Sequence, residues 1–103
     1  MMKYNQGDII KVNGYKNLLF AVVSKNAFIR ATGMFHVCPV LPNVPAGPIH
    51  LPICGKKGEK GTVLCEQIKV IDPNVRSCSR VDLLAYDDIM NISDTLQGIF
   101  EYD

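Results

Sequence analysis

The sequence predicts a small, mainly β, strongly bent barrel that ends in one α-helix. Short apolar runs rich in β-branched residues alternate with Gly, Pro and Asn turn signals from residue 7 to residue 81. Beyond them, apolar residues recur at three- and four-residue intervals, as in an amphipathic helix. With 103 residues, 48% of them hydrophobic and 20% charged, the chain has the length of one domain and enough apolar mass for a single core.

The first half of the chain reads as three strands. Residues 7–12 form the first and end at the turn dipeptide Asn13-Gly14. Residues 18–24 (LLFAVVS) are a continuous apolar run, typical of a strand buried on both faces. Residues 24–31 are more polar and are interpreted as a connection, and residues 32–40 as the third strand.

A proline-dense stretch follows, and its prolines are Pro39, Pro42, Pro45, Pro48 and Pro52. Because proline has no amide hydrogen for a central ladder, this stretch is predicted to be a loop or a sheet edge. Residues 49–54 then form an edge strand, and residues 55–61, with three lysines and three glycines, form a flexible cationic hairpin loop.

The last third is predicted to contain two strands and the helix. Residues 62–71 form the longest strand, with a break at Glu66-Gln67, and a short strand at 75–81 follows a turn at 72–74. The helix runs from 87 to 100, where Asp87 or Asp88 can cap it. Its packing face is Ile89, Ile92, Leu96, Ile99 and Phe100. No internal repeat or linker is visible, so residues 1–103 are predicted to be one domain.

Charge is divided unevenly along the chain although the net charge is only +1. Residues 1–71 hold nine Lys and Arg against three acidic residues, whereas residues 72–103 hold two against seven. A basic body suits binding of a polyanion, and an acidic segment suits a solvated or partner-facing tail. Asymmetry of this size also arises without function, so it indicates nucleic-acid binding only together with other evidence.

Membrane and metal sites are not predicted. No apolar run approaches the ~20 residues of a membrane span, and the N-terminus lacks a signal peptide, which predicts a cytoplasmic protein. The four cysteines form no CxxC pair or zinc motif, so no metal or other cofactor is expected and the thiols should be free. Cys38, Cys54 and Cys65 lie in apolar segments and are predicted to be buried.

Three segments in order resemble the MazF/PemK family of toxin endoribonucleases, which share a fold with the CcdB gyrase poisons. Residues 7–12 (GDIIKV) are similar to the opening strand of the family. Residues 21–24 (AVVS) are followed by Thr32-Gly33-Met34 and by a strand containing Cys38-Pro39. Residues 61–72 (GTVLCEQIKVID) resemble the fifth-strand signature and are the most specific match. The resemblance covers nearly the whole chain.

The resemblance implies an SH3-like barrel with a C-terminal helix, a homodimer, metal-independent cleavage of single-stranded RNA, and an antitoxin protein that occupies the same groove. In the family, an arginine that opens the second strand and a threonine or serine near the end of the third carry much of the chemistry. Here Leu18-Leu19 and Val40-Leu41-Pro42 occupy those places, and the loop between the first two strands is reduced to residues 13–17. Catalysis is therefore either rebuilt from other residues or absent.

Few residues are available to rebuild such a site. Lys16, Lys25 and Arg30 near the second strand are candidate RNA-binding cations, and Tyr15 is a candidate stacking platform for a base. His36 is the candidate catalytic residue, because histidine can serve as acid or base near neutral pH. Each also has an ordinary structural reading, as a solvated loop charge, a packed ring or a half-buried strand histidine.

Glu66, Gln67 and Lys69 match the family signature and are interpreted as support for strand register and the dimer rather than as chemistry. His50, beside the proline loop, has a weaker claim to catalysis than His36.

Three functions remain open on the sequence alone. The leading one is a MazF/PemK-like toxin that cleaves RNA, with full or weakened catalysis. The second is a catalytically inactive dimeric module that keeps the groove and binds a peptide or nucleic acid. The third is a CcdB-like protein that acts on a protein target. The lost arginine and threonine favour the second and third, whereas the signature at residues 61–72 and the basic body favour RNA.

Overall fold

A computed structural model describes residues 3–101 and confirms the predicted mainly β fold with a C-terminal helix. Its elements are β1 (Asp8–Val12), β2 (Leu19–Val22), α1 (Asn26–Thr32), β3 (Phe35–Leu41), β4 (His50–Cys54), β5 (Lys60–Leu64), β6 (Lys69–Ile71), β7 (Cys78–Leu83) and α2 (Tyr86–Ile99). No helix in this part of the chain is long and apolar enough to cross a membrane.

The strands form one antiparallel sheet in the order β4-β5-β3-β2-β1-β7. The short strand β6 lies off this path and pairs with the beginning of β3, while β5 pairs with its end. Since β3 changes partner along its length, the sheet bends sharply there. The edge position predicted for residues 49–54 is confirmed, because β4 ends the sheet.

The two faces of the sheet bury separate cores. The first core contains the buried residues Tyr4, Ile10, Val12, Phe20, Val22, Ile29, Phe35, Val37 and Ile71. The second core contains Ile9, Ala21, Cys38, Val40, Ile53, Val63, Cys65, Leu84 and Ile92. Helix α1 contributes to the first core through Ile29, and α2 covers the second through Ile89, Ile92 and Leu96.

The Gly7-Asp8 pair of the opening strand has a structural role. The carboxylate of Asp8 is buried, accepts a hydrogen bond from the Asn5 N–H at 2.8 Å, and pairs with Arg80 Nε at 3.0 Å. Gly7 has φ 94°, and a Cβ there would collide with the Ile89 side chain. Therefore, glycine is required where the chain enters the sheet beneath α2.

Asp82 anchors the predicted hairpin loop between β4 and β5. Its buried carboxylate accepts backbone N–H groups from Lys57 at 2.8 Å, Glu59 at 3.0 Å and Leu83 at 2.6 Å. Burial by itself raises the pKa of Asp82, but the three N–H donors outweigh burial and hold the pKa below its ordinary value. The carboxylate also fills the space that a Cβ on Gly55 would need. The loop is thus pinned at its base.

The interpretation of residues 24–31 as a connection was wrong, because residues 26–32 form α1. Ala27, Arg30 and Ala31 favour a helix, but seven residues are too few to form one alone, and burial of Ile29 in the first core stabilises it. Gly33, in the left-handed conformation at φ 73°, ends the helix by donating its N–H to the Ile29 carbonyl. The third strand consequently begins at Phe35 rather than at residue 32.

Two strand predictions need correction. The segment 62–71 is not one strand: β5 ends at Leu64, a turn follows, and β6 begins at Lys69. Pro39 lies within β3, a central strand, and not in a loop or at an edge. It falls between the residues that pair with β6 and those that pair with β5, where no partner needs its missing N–H. The last strand is 78–83 rather than 75–81.

The terminal helix is confirmed, with differences at its ends. Its N-cap is Ala85 rather than an aspartate. Asp87 and Asp88 lie in the first turn, where their negative charge interacts favourably with the helix dipole. Ile99 and Phe100 were predicted to pack, but they are 37% and 72% exposed. The helix extends past the edge of the second core.

The prediction of buried cysteines is right for Cys38 and Cys65 and wrong for Cys54, which is exposed on the edge strand β4. Cys78 is half-buried at the start of β7.

Candidate functional site: a cationic surface around Tyr15

The loop between β1 and β2 carries Tyr15 across the end of the first core. Gly14 and Asn17 adopt positive φ values of 95° and 61°, which turn the chain tightly. The Asn13 N–H donates to the Ser77 carbonyl at 2.8 Å and ties this loop to the segment before β7. The Tyr15 ring is half-buried and packs edge-on against Phe20, with centroids 5.2 Å apart. The ring is therefore fixed at the edge of the first core.

Two cations lie over that ring. Lys69 Nζ is 5.7 Å from the ring centroid, and Arg76 Cζ is 5.1 Å from it. Arg76 also donates to the Asn13 carbonyl at 3.1 Å, which fixes the guanidinium across the loop. The exposed Lys16 follows Tyr15 directly. We call Tyr15, Lys16, Lys69 and Arg76 the Tyr15 cluster.

None of the three cations of the Tyr15 cluster forms an ion pair within residues 3–101. The ion pairs found among residues 3–101 are His50 with Glu66 and Arg80 with Asp8. Three cations beside one aromatic ring, with no acidic partner in that part of the chain, attract an anion that carries a flat ring.

Two cavities adjoin the cluster. One, of about 1040 Å³, is lined by the β1–β2 loop together with Lys11, Leu19 and the acidic Glu59. The other, of about 660 Å³, lies between α1 and the segment before β7 and is lined by Lys3, Arg30 and apolar side chains. Ser77 and Cys78 border both cavities, so the two form neighbouring parts of one surface.

The structure thus brings some of the predicted site residues together and separates others. Tyr15 and Lys16 line the larger cavity, and Arg30 lines the smaller one. Lys25 lies at the N-cap of α1 and lines neither cavity. His36 also lies apart, on β3, where its ring is 5.1 Å from the Phe28 ring and its Nδ1 is 3.0 Å from Ser24 Oγ.

The signature residues have distinct surroundings. Glu66 meets His50, whose Nε2 is 3.1 Å from each carboxylate oxygen, and the exposed Gln67 donates its backbone N–H to Leu64 in the turn. The hydrogen bond from His50 lowers the pKa of Glu66, and the Gln67 side chain makes a smaller contribution in the same direction. Lys69 reaches the Tyr15 ring.

The positions at which the resemblance places an arginine and a threonine are adjacent in space. Leu19 pairs with Val40 across β2 and β3, and Leu18 and Leu41 each stand one residue further along. All four side chains are apolar and half-buried or buried. Leu18 packs against the first core, whereas Leu19 and Val40 belong to the second, and none of the four supplies a proton or a charge.

Comparison with known proteins shows the family. A sequence model of the family described as "PemK-like, MazF-like toxin of type II toxin-antitoxin system" matches residues 5–100. The chain belongs to this toxin family. A search of curated protein sequences gives no significant match.

Solved structures similar to this toxin-family member share its fold at low sequence identity. MazF in the MazE–MazF complex (Form-I) of Deinococcus radiodurans superposes with a TM-score of 0.80 at 20% identity, over 93% of this chain and 94% of that one. An endoribonuclease in complex with its cognate antitoxin from a mycobacterial species gives a TM-score of 0.80 at 14% identity, over 97% and 99%. MazF (Form-I) of D. radiodurans alone gives 0.77 at 18% identity, over 93% and 94%.

Sequence reasoning missed two residues of this family member that the structure draws attention to. Arg76 was counted within the acidic C-terminal segment, yet it lies over Tyr15, far away in sequence. His50 was ranked below His36, yet its imidazole is paired with a carboxylate. Neither contact can be predicted from a short stretch of sequence, because each joins two segments that are distant along the chain and become neighbours only through the pairing of the strands. Among residues 3–101, no group of three or more His, Cys, Asp and Glu side chains is placed to hold a metal ion.

Proposed function

We propose that this toxin-family member is an endoribonuclease that binds single-stranded RNA through the Tyr15 cluster. The observation that carries the proposal is a half-buried tyrosine ring, fixed edge-on against Phe20, beside three cations that form no ion pair within residues 3–101. Unpaired bases stack on aromatic rings whatever their sequence, and Lys and Arg side chains bind the phosphates between them. A double helix would not present its bases to a single half-buried ring.

Cleavage of RNA by its own 2′-hydroxyl needs a base, a proton for the leaving 5′-oxygen, and cations for the charge that develops on phosphorus. The guanidinium of Arg76 is held by the Asn13 carbonyl and is a preorganised donor for that charge. It would replace the arginine that the resemblance expects at the apolar position Leu18. We place the scissile phosphate between Arg76 and Lys69, with one flanking base on Tyr15.

The smaller cavity extends this surface. Arg30 and Lys3 line it, and it shares Ser77 and Cys78 with the larger cavity. An RNA strand that leaves the Tyr15 cluster along this wall would meet a further pair of cations. Arg30 is therefore included in the RNA-binding surface, whereas Lys25 and His36, which neither contact the Tyr15 ring nor line either cavity, are left out of it.

An antitoxin is the second proposed partner. The similar structures include a MazE–MazF complex and an endoribonuclease with its cognate antitoxin. We propose that an acidic segment of an antitoxin competes with RNA for the Tyr15 cluster, in the cytoplasm where both are made. An acidic peptide that displaces bound RNA would support this, and one that binds without displacing it would contradict it.

We also propose a homodimer. On α2 the apolar side chains of Tyr86, Met90 and Phe100 are 71%, 46% and 72% exposed. Tyr86 and Met90 are four residues apart and share one face of the helix. Such a stripe is costly in water and favours burial against a second copy. Sedimentation equilibrium should give twice 11.4 kDa, and Met90→Lys should shift the mass towards the monomer. A monomeric wild type at micromolar concentration would refute the dimer.

The activity is tested with purified protein, a long single-stranded RNA and excess EDTA. The expected products end in 2′,3′-cyclic phosphate and 5′-hydroxyl groups, identified by sequencing of the cut ends, by direct 5′ labelling with a polynucleotide kinase, and by failure of 5′ ligation until the ends are phosphorylated. Arg76→Gln should abolish cleavage and Lys56→Gln, at a lysine that lines neither cavity, should not. Intact RNA in the presence of the wild type would refute the endoribonuclease.

A second candidate function is a catalytically inactive RNA-binding module. It is favoured by the apolar Leu18, Leu19, Val40 and Leu41 at the places where the resemblance expects the catalytic arginine and hydroxyl. If the wild-type protein binds RNA in a salt-dependent way but produces no cut ends, this second function is established. If RNA is neither bound nor cut, a protein target remains.

A further inference from the structure

His50 and Glu66 form a histidine–carboxylate pair at the surface. His50 Nε2 is 3.1 Å from both Oε1 and Oε2 of Glu66, and the two side chains are 31% and 37% exposed. The pair is held by the sheet: His50 opens β4, and Glu66 lies in the turn between β5 and β6. Both groups are therefore positioned by the fold and still open to a substrate.

The pairing fixes the tautomer of the imidazole. A carboxylate only accepts hydrogen bonds, so Nε2 carries the proton that Glu66 accepts. In the neutral ring the lone pair then lies on Nδ1, the nitrogen directed away from the carboxylate. No hydrogen-bond partner for Nδ1 is found among residues 3–101. This is the arrangement of a general base held by a second group.

His50 lies on the same face of the sheet as the Tyr15 cluster. Its neighbours Ile49 and Leu51 pack against the second core, so strand alternation directs His50 to the opposite face. Lys69 is two residues before Ile71 of the first core and shares its face. Tyr15 packs against that same first core.

Glu66 of the histidine–carboxylate pair and Lys69 of the Tyr15 cluster are also close along the chain. Lys69 follows Glu66 by three residues, which span at most about 11 Å even when fully extended. Lys69 in turn contacts the Tyr15 ring. We place one RNA strand across both the Tyr15 cluster and His50.

His36 is less suited to this role. Its Nδ1 is 3.0 Å from Ser24 Oγ, and its backbone N–H donates to the same hydroxyl. Its ring packs near Phe28 of α1. Its backbone carbonyl accepts the Val23 N–H, at the end of β3 away from Leu41. A fixed, partly covered imidazole is a structural histidine.

We propose that His50 is the general base for RNA cleavage and that Glu66 is its positioning residue, an assignment that rests on the proposed endoribonuclease activity. Nδ1 of His50 takes the proton of the 2′-hydroxyl as the 2′-oxygen forms a bond to phosphorus. The bond from phosphorus to the 5′-oxygen breaks, and the 5′-oxygen takes a proton from water. The products are a 2′,3′-cyclic phosphate and a 5′-hydroxyl, and His50 returns its proton to solvent.

The test measures kcat and KM for wild type, His50→Ala and Glu66→Gln on the same RNA. Loss of a general base should lower kcat by about 10²- to 10⁴-fold in His50→Ala. KM should not change, because the Tyr15 cluster is intact. The kcat of Glu66→Gln should lie between those of the wild type and His50→Ala, since the imidazole base remains but the carboxylate that orients it is lost. Imidazole added to the buffer should restore cleavage by His50→Ala in proportion to its concentration.

Controls separate the possible failures. Urea unfolding of each variant shows whether it is folded, and Lys56→Gln, an exposed lysine on the loop after β4, should match the wild type. An unchanged kcat in folded His50→Ala would overturn the dyad but leave the endoribonuclease standing. If His36→Gln loses activity while His50→Ala keeps it, the His50–Glu66 assignment would likewise be overturned and the endoribonuclease would stand. Folded His50→Ala that is slow but not rescued by imidazole would also count against the base. RNA left intact by the wild type would overturn both proposals.

Discussion

Replacing Tyr15 by leucine or by phenylalanine separates stacking on RNA from the charge of the surface. Leucine keeps an apolar cover over Phe20, whose ring lies 5.2 Å from that of Tyr15, but it removes the aromatic face. Loss of one stacked base costs about 1–3 kcal/mol, which is about a 5- to 150-fold weaker Kd. Phenylalanine keeps the face, so Tyr15→Phe should bind like the wild type. The salt dependence of both variants should stay unchanged.

Removing a cation of the Tyr15 cluster should give the opposite signature. Lys16→Gln, Lys69→Gln and Arg76→Gln each take away one phosphate contact. For single strands, each contact contributes about 0.7 to the slope of log Kd against log salt concentration. Between 50 and 200 mM salt, one contact accounts for about a 2.5-fold change in Kd, and each single variant should lose that factor. The triple variant should lose about 2 units of slope.

Fluorescence anisotropy of a short labelled single-stranded RNA, titrated at several salt concentrations, gives both quantities. Lys56→Gln is the matched control, because it removes one exposed lysine that is outside the cluster and lines neither cavity. Equal affinity of Tyr15→Leu and Tyr15→Phe would refute stacking. A slope that falls as much in Lys56→Gln as in Arg76→Gln would refute a localised phosphate site, since it would reflect net charge alone.

Two further predictions concern the scaffold. The pKa of Asp82 is held below its ordinary value in the folded state, so its carboxylate stabilises the fold above the pKa of an unfolded aspartate, and this stabilisation is lost as the pH falls through the lower, folded pKa. Asp82→Asn should therefore unfold at lower urea than the wild type at neutral pH, and the difference should vanish in acid; a difference independent of pH would contradict this. Burial raises the pKa of Cys38 to about 12 and that of Cys65 to about 11, so at pH 8 an alkylating reagent should label the exposed Cys54 quickly and these two only after unfolding, as mass spectrometry would detect.

Much of the fold was predictable because its signals are local. The Asn13-Gly14 turn, the apolar run of β2 and the spacing of Ile89, Ile92 and Leu96 in α2 each lie within a single stretch of sequence. Helix α1 was not predictable in this way. Its seven residues are too few to form a stable helix alone, and burial of Ile29 against the first core stabilises their helical conformation.

The candidate site was predictable only in part. Tyr15 and Lys16 could be proposed from the loop in which they occur, and the signature at residues 61–72 could be recognised as a pattern. The contact of Arg76 with Tyr15 could not, because it joins residues that are distant in sequence. Likewise, nothing in the sequence near His50 indicates that Glu66 is its neighbour.

The sequence by itself determined the class of fold and the family to which the chain belongs, and it predicts apolar residues, Leu18-Leu19 and Val40-Leu41-Pro42, where the resemblance expects an arginine and a threonine or serine. These follow from residue types and their order, which strand periodicity and turn chemistry translate directly into structure. Tertiary structure alone decided which charges meet. Pairing of β3 with β6 and of β4 with β5 brings Lys69 to Tyr15 and His50 to Glu66. A side chain acquires its chemistry from neighbours that the bend of the sheet selects, not from those that precede it in the chain.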